Sequence, residues 1–138
     1  QKSQRYVDET SFDYIVPPSI ANNPEARELY TRVINTIRES YTQLAEMVPR
    51  EDARYILPNA TETKLVLSFN ARSLYNFFSQ RLCLRAQWEM REMSQLMLVE
   101  VMKVAPLLFS KAGPSCEVEG ICWEGKKSCG RCEDVRER

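Results

Sequence analysis

The chain contains no histidine in 138 residues. That excludes a Ser-His-Asp or Cys-His nucleophile built from this chain alone, and any zinc site that relies on imidazole. Glycine is almost as scarce, at four residues. None of them falls in a P-loop or a dinucleotide-binding fingerprint, so a phosphate site would have to be made of side chains. Net charge is absent too, with 19 basic and 19 acidic residues. A balanced chain argues against a broadly cationic nucleic-acid or membrane binder. No apolar run approaches the roughly 18 residues that a spanning helix needs. No basic-then-apolar leader precedes the first helix. These absences together lead to the expectation of a cytoplasmic protein without membrane or nucleic-acid partners.

What is present is ordinary globular material, 43% hydrophobic and 28% charged, in a length that suits one domain. Ser11–Val16 alternates loosely and meets Pro17-Pro18, which predicts an extended segment with a proline stop. Asn23 is a good helix cap and Pro24 suits the first helical position. From there Leu29, Tyr30, Val33, Ile34, Ile37, Tyr41 and Leu44 recur at three- and four-residue spacing. This predicts a one-faced amphipathic helix ending near Val48. Pro49 opens a second short helix over Arg50–Ile56, stopped by Pro58. Thr61–Asn70 alternates and reads as the best strand in the chain. Asn70 caps a helix over Ala71–Leu84, and a long helix follows over Arg85–Val104. The long helix carries a stripe of Met90, Met93, Met97 and Val101, with Leu96, Leu98, Val99 and Met102 spread around it. Such a helix should be buried on several sides, by a core and by a subunit interface. The fold class expected is α+β, mostly helical with a short mixed sheet. Gly113-Pro114 marks a change of character, so residues 1–110 are expected to form the main domain and 111–138 a cysteine-rich tail.

Three groups of residues could carry chemistry. Between residues 50 and 91 stand six arginines (50, 54, 72, 81, 85 and 91) and one lysine. Arginine offers a rigid fork that matches carboxylate and phosphate oxygens, so the bias hints at an anionic ligand. Arg81 continues the apolar stripe of Leu74, Phe77 and Phe78. It reads either as a snorkelling side chain at a helix end or as a guanidinium aimed into a pocket. Arg72 and Asn76 share another face at a spacing of four. Of the five cysteines, Cys83 stands between two leucines and reads as a small buried hydrophobe with no base to activate it. The other four run Cys116-x5-Cys122-x6-Cys129-x2-Cys132. One CxxC pair falls short of a full zinc ribbon, so no metal is expected. The set could nevertheless hold zinc tetrahedrally, and otherwise the tail carries reduced thiols.

Three stretches then carry a resemblance. They are Ser3-Gln4-Arg5-Tyr6, Ala53-Arg54-Tyr55-Ile56-Leu57-Pro58, and Asn70-Ala71-Arg72-Ser73-Leu74-x-Asn76-Phe77-Phe78-x-x-Arg81 with Ala86-Gln87-Trp88-Glu89 behind it. In this order they resemble the flavin-dependent thymidylate synthases, over residues 1 to about 110. Only the end of the family's Arg-His-Arg signature is present, so the chain looks like the C-terminal part of such an enzyme. The resemblance implies conversion of dUMP to dTMP, with methylenetetrahydrofolate as carbon donor, FAD as hydride carrier and NADPH as reductant of the flavin. It implies a homotetramer with active sites shared between subunits. It assigns Gln1, Ser3, Arg5 and Arg54 to dUMP, although the family usually has an acidic residue where Gln1 stands. It assigns Arg81 to holding and polarising the uracil, as the catalytic residue. Asn70, Arg72 and Asn76 match flavin contacts. The rival class is a non-catalytic helical oligomerisation module with a zinc-binding cysteine tail.

Overall fold

A computed structural model describes residues 2–4 and 6–137. The chain divides into two compact units, residues 1–67 and 68–138.

The first unit is organised by one long helix. After a single turn, α1 (Pro18–Ala21), helix α2 runs over Pro24–Met47. The Asn23 side chain accepts from Ala26 N at 3.2 Å, so the expected cap forms. Ile34 and Tyr41 on its inner side are fully buried and meet Phe12 and Ala53 in the core of the unit. Helix α3 (Arg50–Ala53) and a 3₁₀ turn over Arg54–Ile56 together fill the span predicted for a second short helix. The segment before α1 is tied to α2 by polar contacts. Tyr30 Oη donates to Ile15 O at 2.7 Å, and an Arg38 Nη2 donates to Phe12 O at 2.5 Å. The Arg38 guanidinium also lies 5.1 Å from the ring centres of Phe12 and Tyr14. Of the expected extended segment Ser11–Val16, Ser11 belongs to a turn and the rest pairs through a single antiparallel bridge from Tyr14 to Thr61.

Thr61–Asn70 is not a strand. Thr61 makes that one bridge and residues 62–70 belong to no regular element. The alternation is real, but a strand needs a neighbour to satisfy its backbone. Leu65, Val66, Leu67 and Phe69 are all exposed, Val66 at 92%.

The second unit begins with α4 (Ala71–Arg81), capped by Asn70, whose side chain accepts from Ser73 N at 2.8 Å. It stops three residues before the predicted Leu84. Helix α5 (Trp88–Val104) starts three residues after the predicted Arg85, with Gln87 Oε1 accepting from Met90 N. Helix α6 (Pro106–Phe109) follows directly. An aromatic cluster forms the core. Phe78 is fully buried, edge-on to Phe109 at 6.2 Å, and Tyr75 stacks on Phe109 at 5.6 Å. Tyr75 Oη also donates to Leu108 O. Within this single chain α5 is not covered on several sides, and the subunit interface expected to cover the rest of it would need further copies. Ser94 is its one buried residue among those described, while Leu96 is 62% and Val99 55% exposed.

The sheet lies in the cysteine-rich tail, where no strand was predicted. After α7 (Ser115–Val118), β1 (Ile121–Cys122) pairs with β2 (Asp134–Val135). The pair is parallel rather than mixed, with Ile121 opposite Asp134 and Cys122 opposite Val135. Two-residue strands lie below the length at which alternation can be read. Between them Gly125 takes φ of +49°, and a Cβ there would stand 2.5 Å from Glu137 Cγ, so both backbone and space require glycine. Arg131 pairs with Glu117 at 3.1 Å and Arg136 with Asp134 at 2.8 Å.

Candidate functional site

The residues singled out in the sequence fall into three places. In the first unit, Ser3 and Arg54 line one cleft of about 550 Å³, together with Lys2, Gln4, Asn59 and Thr61. The N-terminal segment reaches this cleft because Lys2 N donates to Lys64 O at 2.7 Å and Thr63 Oγ1 to Lys2 O at 3.3 Å. Arg54 arrives on the 3₁₀ turn, and its Nε donates to Glu51 O at 3.1 Å, which anchors the guanidinium. Lys2 Nζ pairs with the buried Glu9 at 3.0 Å. Ser3 and Arg54, fifty-one positions apart, are thus brought to one polar wall with hydroxyl, ammonium, guanidinium and amide groups. That donor set suits an oxyanion. Gln1 and Arg5, the other two residues assigned to this ligand, lie outside the described residues.

In the second unit, Asn70, Arg72 and Asn76 stand along α4 and are all exposed. Asn70 already spends its carbonyl oxygen on the helix cap. Asn76 Oδ1 accepts from Gln80 Nε2 at 3.2 Å, the next turn of the same row. Arg72 and Asn76, four residues apart, make a donor-rich strip on one exposed face, and Asn70 stands at the helix start.

The third place is the end of α4. Arg81 is exposed, not buried in the aromatic stripe. It is the last residue of α4, one turn beyond Phe78, where the aromatic packing has ended. It stands both at the helix end and on the wall of a cavity, so both readings of the pattern stay open. That cavity holds about 270 Å³ and its lining includes Arg81, Arg85 and Trp123. All five cysteines line it as well, Cys83 from the α4–α5 connection and Cys116, Cys122, Cys129 and Cys132 from the tail. Each is a free thiol.

Cys83 is therefore not the sealed hydrophobe expected from its leucine neighbours. It is half-buried, and its Sγ accepts from Arg85 N at 3.4 Å. Arg85 Nε in turn donates to Lys127 O, tying the connection to the tail. Burial raises the Cys116 thiol above its ordinary value, while the nearby Arg131 charge opposes that. The Arg131 backbone N–H, then its side chain, bonds Cys129 and lowers that thiol. Among the described residues, no three Cys, Asp or Glu side chains stand in ready-made coordination geometry. The convergence of Cys83 on the tail was hidden in the sequence. The one available signal was that the fifth cysteine stands two residues beyond Arg81.

Comparison with known proteins then places the chain. The model of a family described as thymidylate synthase complementing protein matches residues 1–107. A flavin-dependent thymidylate synthase of Clostridium tetani is 41% identical over 99% of this chain and 61% of its own length. One from Geobacter sulfurreducens is 42% identical over 99% of this chain and 60% of its own length. One from Saccharolobus solfataricus is 50% identical over 74% of this chain and 39% of its own length. The chain belongs to the flavin-dependent thymidylate synthase family. It spans about 60% of the length of the first two of these curated relatives.

Proposed function

We propose that this chain forms the dUMP-binding part, and part of the flavin-binding surface, of an enzyme that methylates dUMP reductively to dTMP. Methylenetetrahydrofolate is the carbon donor and NADPH the reductant. The observation that carries this reading is the meeting of Ser3 and Arg54 at one cleft, inside a family match covering residues 1–107. Ser3 and Arg54 there bind the phosphate, with Gln1 and Arg5 assigned to the same ligand by resemblance. Arg81 holds the uracil, and its fixed positive charge favours the negative charge that develops on a carbonyl oxygen. Asn70, Arg72 and Asn76 are assigned to FAD, and the donor-rich strip of Arg72 and Asn76 fits an anionic dinucleotide with carbonyl-bearing rings. When bound, FAD carries the hydride that completes the transferred carbon as a methyl group. The absence of histidine is no obstacle, because this chain's task is positioning and electrostatics. The exposed apolar side of α5 supports a homotetramer in which a second copy covers it.

Calorimetric titration with dUMP and with deoxyuridine, in the presence of FAD, tests the assignment. The expected result is binding of dUMP but not of its phosphate-free analogue. Arg54→Ala should weaken dUMP by at least tenfold, about the value of one charge-assisted hydrogen bond. Equal binding of both ligands, or an Arg54→Ala variant that binds like the parent, would remove the phosphate assignment. A helical oligomerisation module would bind neither.

A further inference from the structure

We propose that Cys83, Cys116, Cys122 and Cys129 form a tetrathiolate site for a zinc-class divalent cation, holding the C-terminal segment onto the end of α4. The argument starts from convergence. Two segments far apart in sequence, the α4–α5 connection and the tail, bring all five cysteines to the wall of one cavity, and no pair is joined as a disulfide. A chain that merely carried reactive thiols on a tail would have no reason to gather them around a cysteine of the helical body.

The choice of four follows from what each thiol already does. Cys132 Sγ donates to Gly120 O at 3.2 Å and also lies 3.5 Å from Asp134 O, so it is committed to backbone carbonyls of the β1–β2 connection. Cys122 is buried on β1, and its Sγ makes a long contact of 3.5 Å with Ser128 Oγ. Cys83 Sγ instead accepts, from Arg85 N at 3.4 Å, and Cys129 accepts from the Arg131 N–H, contacts that a metal-bound sulfur keeps, and Cys116 lines the same wall. Cys83 thus replaces Cys132 in the set that spacing alone would choose.

Charge points the same way. Four thiols give up four protons on binding a divalent ion, leaving a centre of net charge −2. The cavity wall carries Arg85 beside one carboxylate, Glu124, and Arg131 bonds Cys129. These guanidiniums offset that charge. The sulfurs stand on the cavity wall rather than in finished geometry. Ligation draws them inward by side-chain rotation, to the usual Zn–S distance of about 2.3 Å.

The test needs no enzymatic activity and does not depend on the nucleotide assignment. The protein is purified without chelator from zinc-supplemented culture. Metal is quantified by mass spectrometry, and thiols are alkylated with iodoacetamide and mapped by peptide. The expected result is about one zinc per chain, with Cys132 alone alkylated, and all five alkylated once a chelator has removed the ion. Cobalt in place of zinc should give the visible absorption of a tetrahedral tetrathiolate. Cys83→Ser should lose most of the zinc and Cys132→Ser should keep it. The alkylation map on the unaltered protein stands even if a variant misfolds. Zinc-free protein with five reactive thiols, a disulfide-linked pair, or protection of Cys132 with Cys83 reactive would each overturn the proposal.

Discussion

Asp8 shows how much a single exposed residue can be tuned by its loop. Its Oδ1 accepts from Thr10 N at 2.9 Å, and its Oδ2 lies 3.3 Å from Arg50. The Thr10 backbone N–H, then its hydroxyl, and lastly the Arg50 charge hold the carboxyl below its ordinary value of 3.8. A group whose folded value is depressed favours the fold once ionised. That contribution is present above about pH 4 and is lost as pH falls through the depressed value. Asp8→Asn should therefore have a lower melting temperature than the parent at pH 7, with the gap narrowing as pH falls below 3.8. Thermal melts across that range check it, and a gap independent of pH would assign the loss to packing instead. The Thr10 contact is local to the chain, two residues along, whereas Arg50 stands 42 positions away and could not be paired with Asp8 by spacing.

At the scale of the element, Asn70 closes the start of α4. The proposed function gives the same residue a second duty, toward FAD. Asn70→Ala should cost about 1 kcal/mol of stability, the usual value of an N-cap. Asn70→Ser retains a capping oxygen but not the carboxamide. It should melt like the parent in chemical denaturation and bind FAD more weakly. If both variants bind FAD like the parent, Asn70 is a cap and nothing more. Helices such as this were legible because caps and apolar periodicity are local signals. The Thr61–Asn70 alternation was equally local and yet produced no strand, since pairing depends on a partner that spacing cannot supply.

At the scale of the whole molecule, the telling feature is apolar surface left in water. Leu96 and Val99 lie three residues apart on α5, Leu107 on α6 is 93% exposed, and Val66 is exposed in the preceding unit. Patches of this kind mark surfaces meant to be covered. The homotetramer reading expects the protein to sediment as an assembly larger than a dimer. The double variant Leu96→Asp with Val99→Asp should shift it to smaller species. Unchanged sedimentation would move the interface away from α5.

The family and the helical class could be read from the residues alone. They rest on contiguous motifs, caps and periodicity, which are properties of neighbours in the chain. The tertiary structure decided what neighbours in the chain cannot. It set Ser3 against Arg54 at one cleft, left Arg81 exposed beyond the aromatic packing, moved the sheet into the tail, and gathered Cys83 with the four tail cysteines. Each of these is a meeting of distant residues. Such meetings are settled by which surfaces pack and which backbone groups find partners, not by spacing.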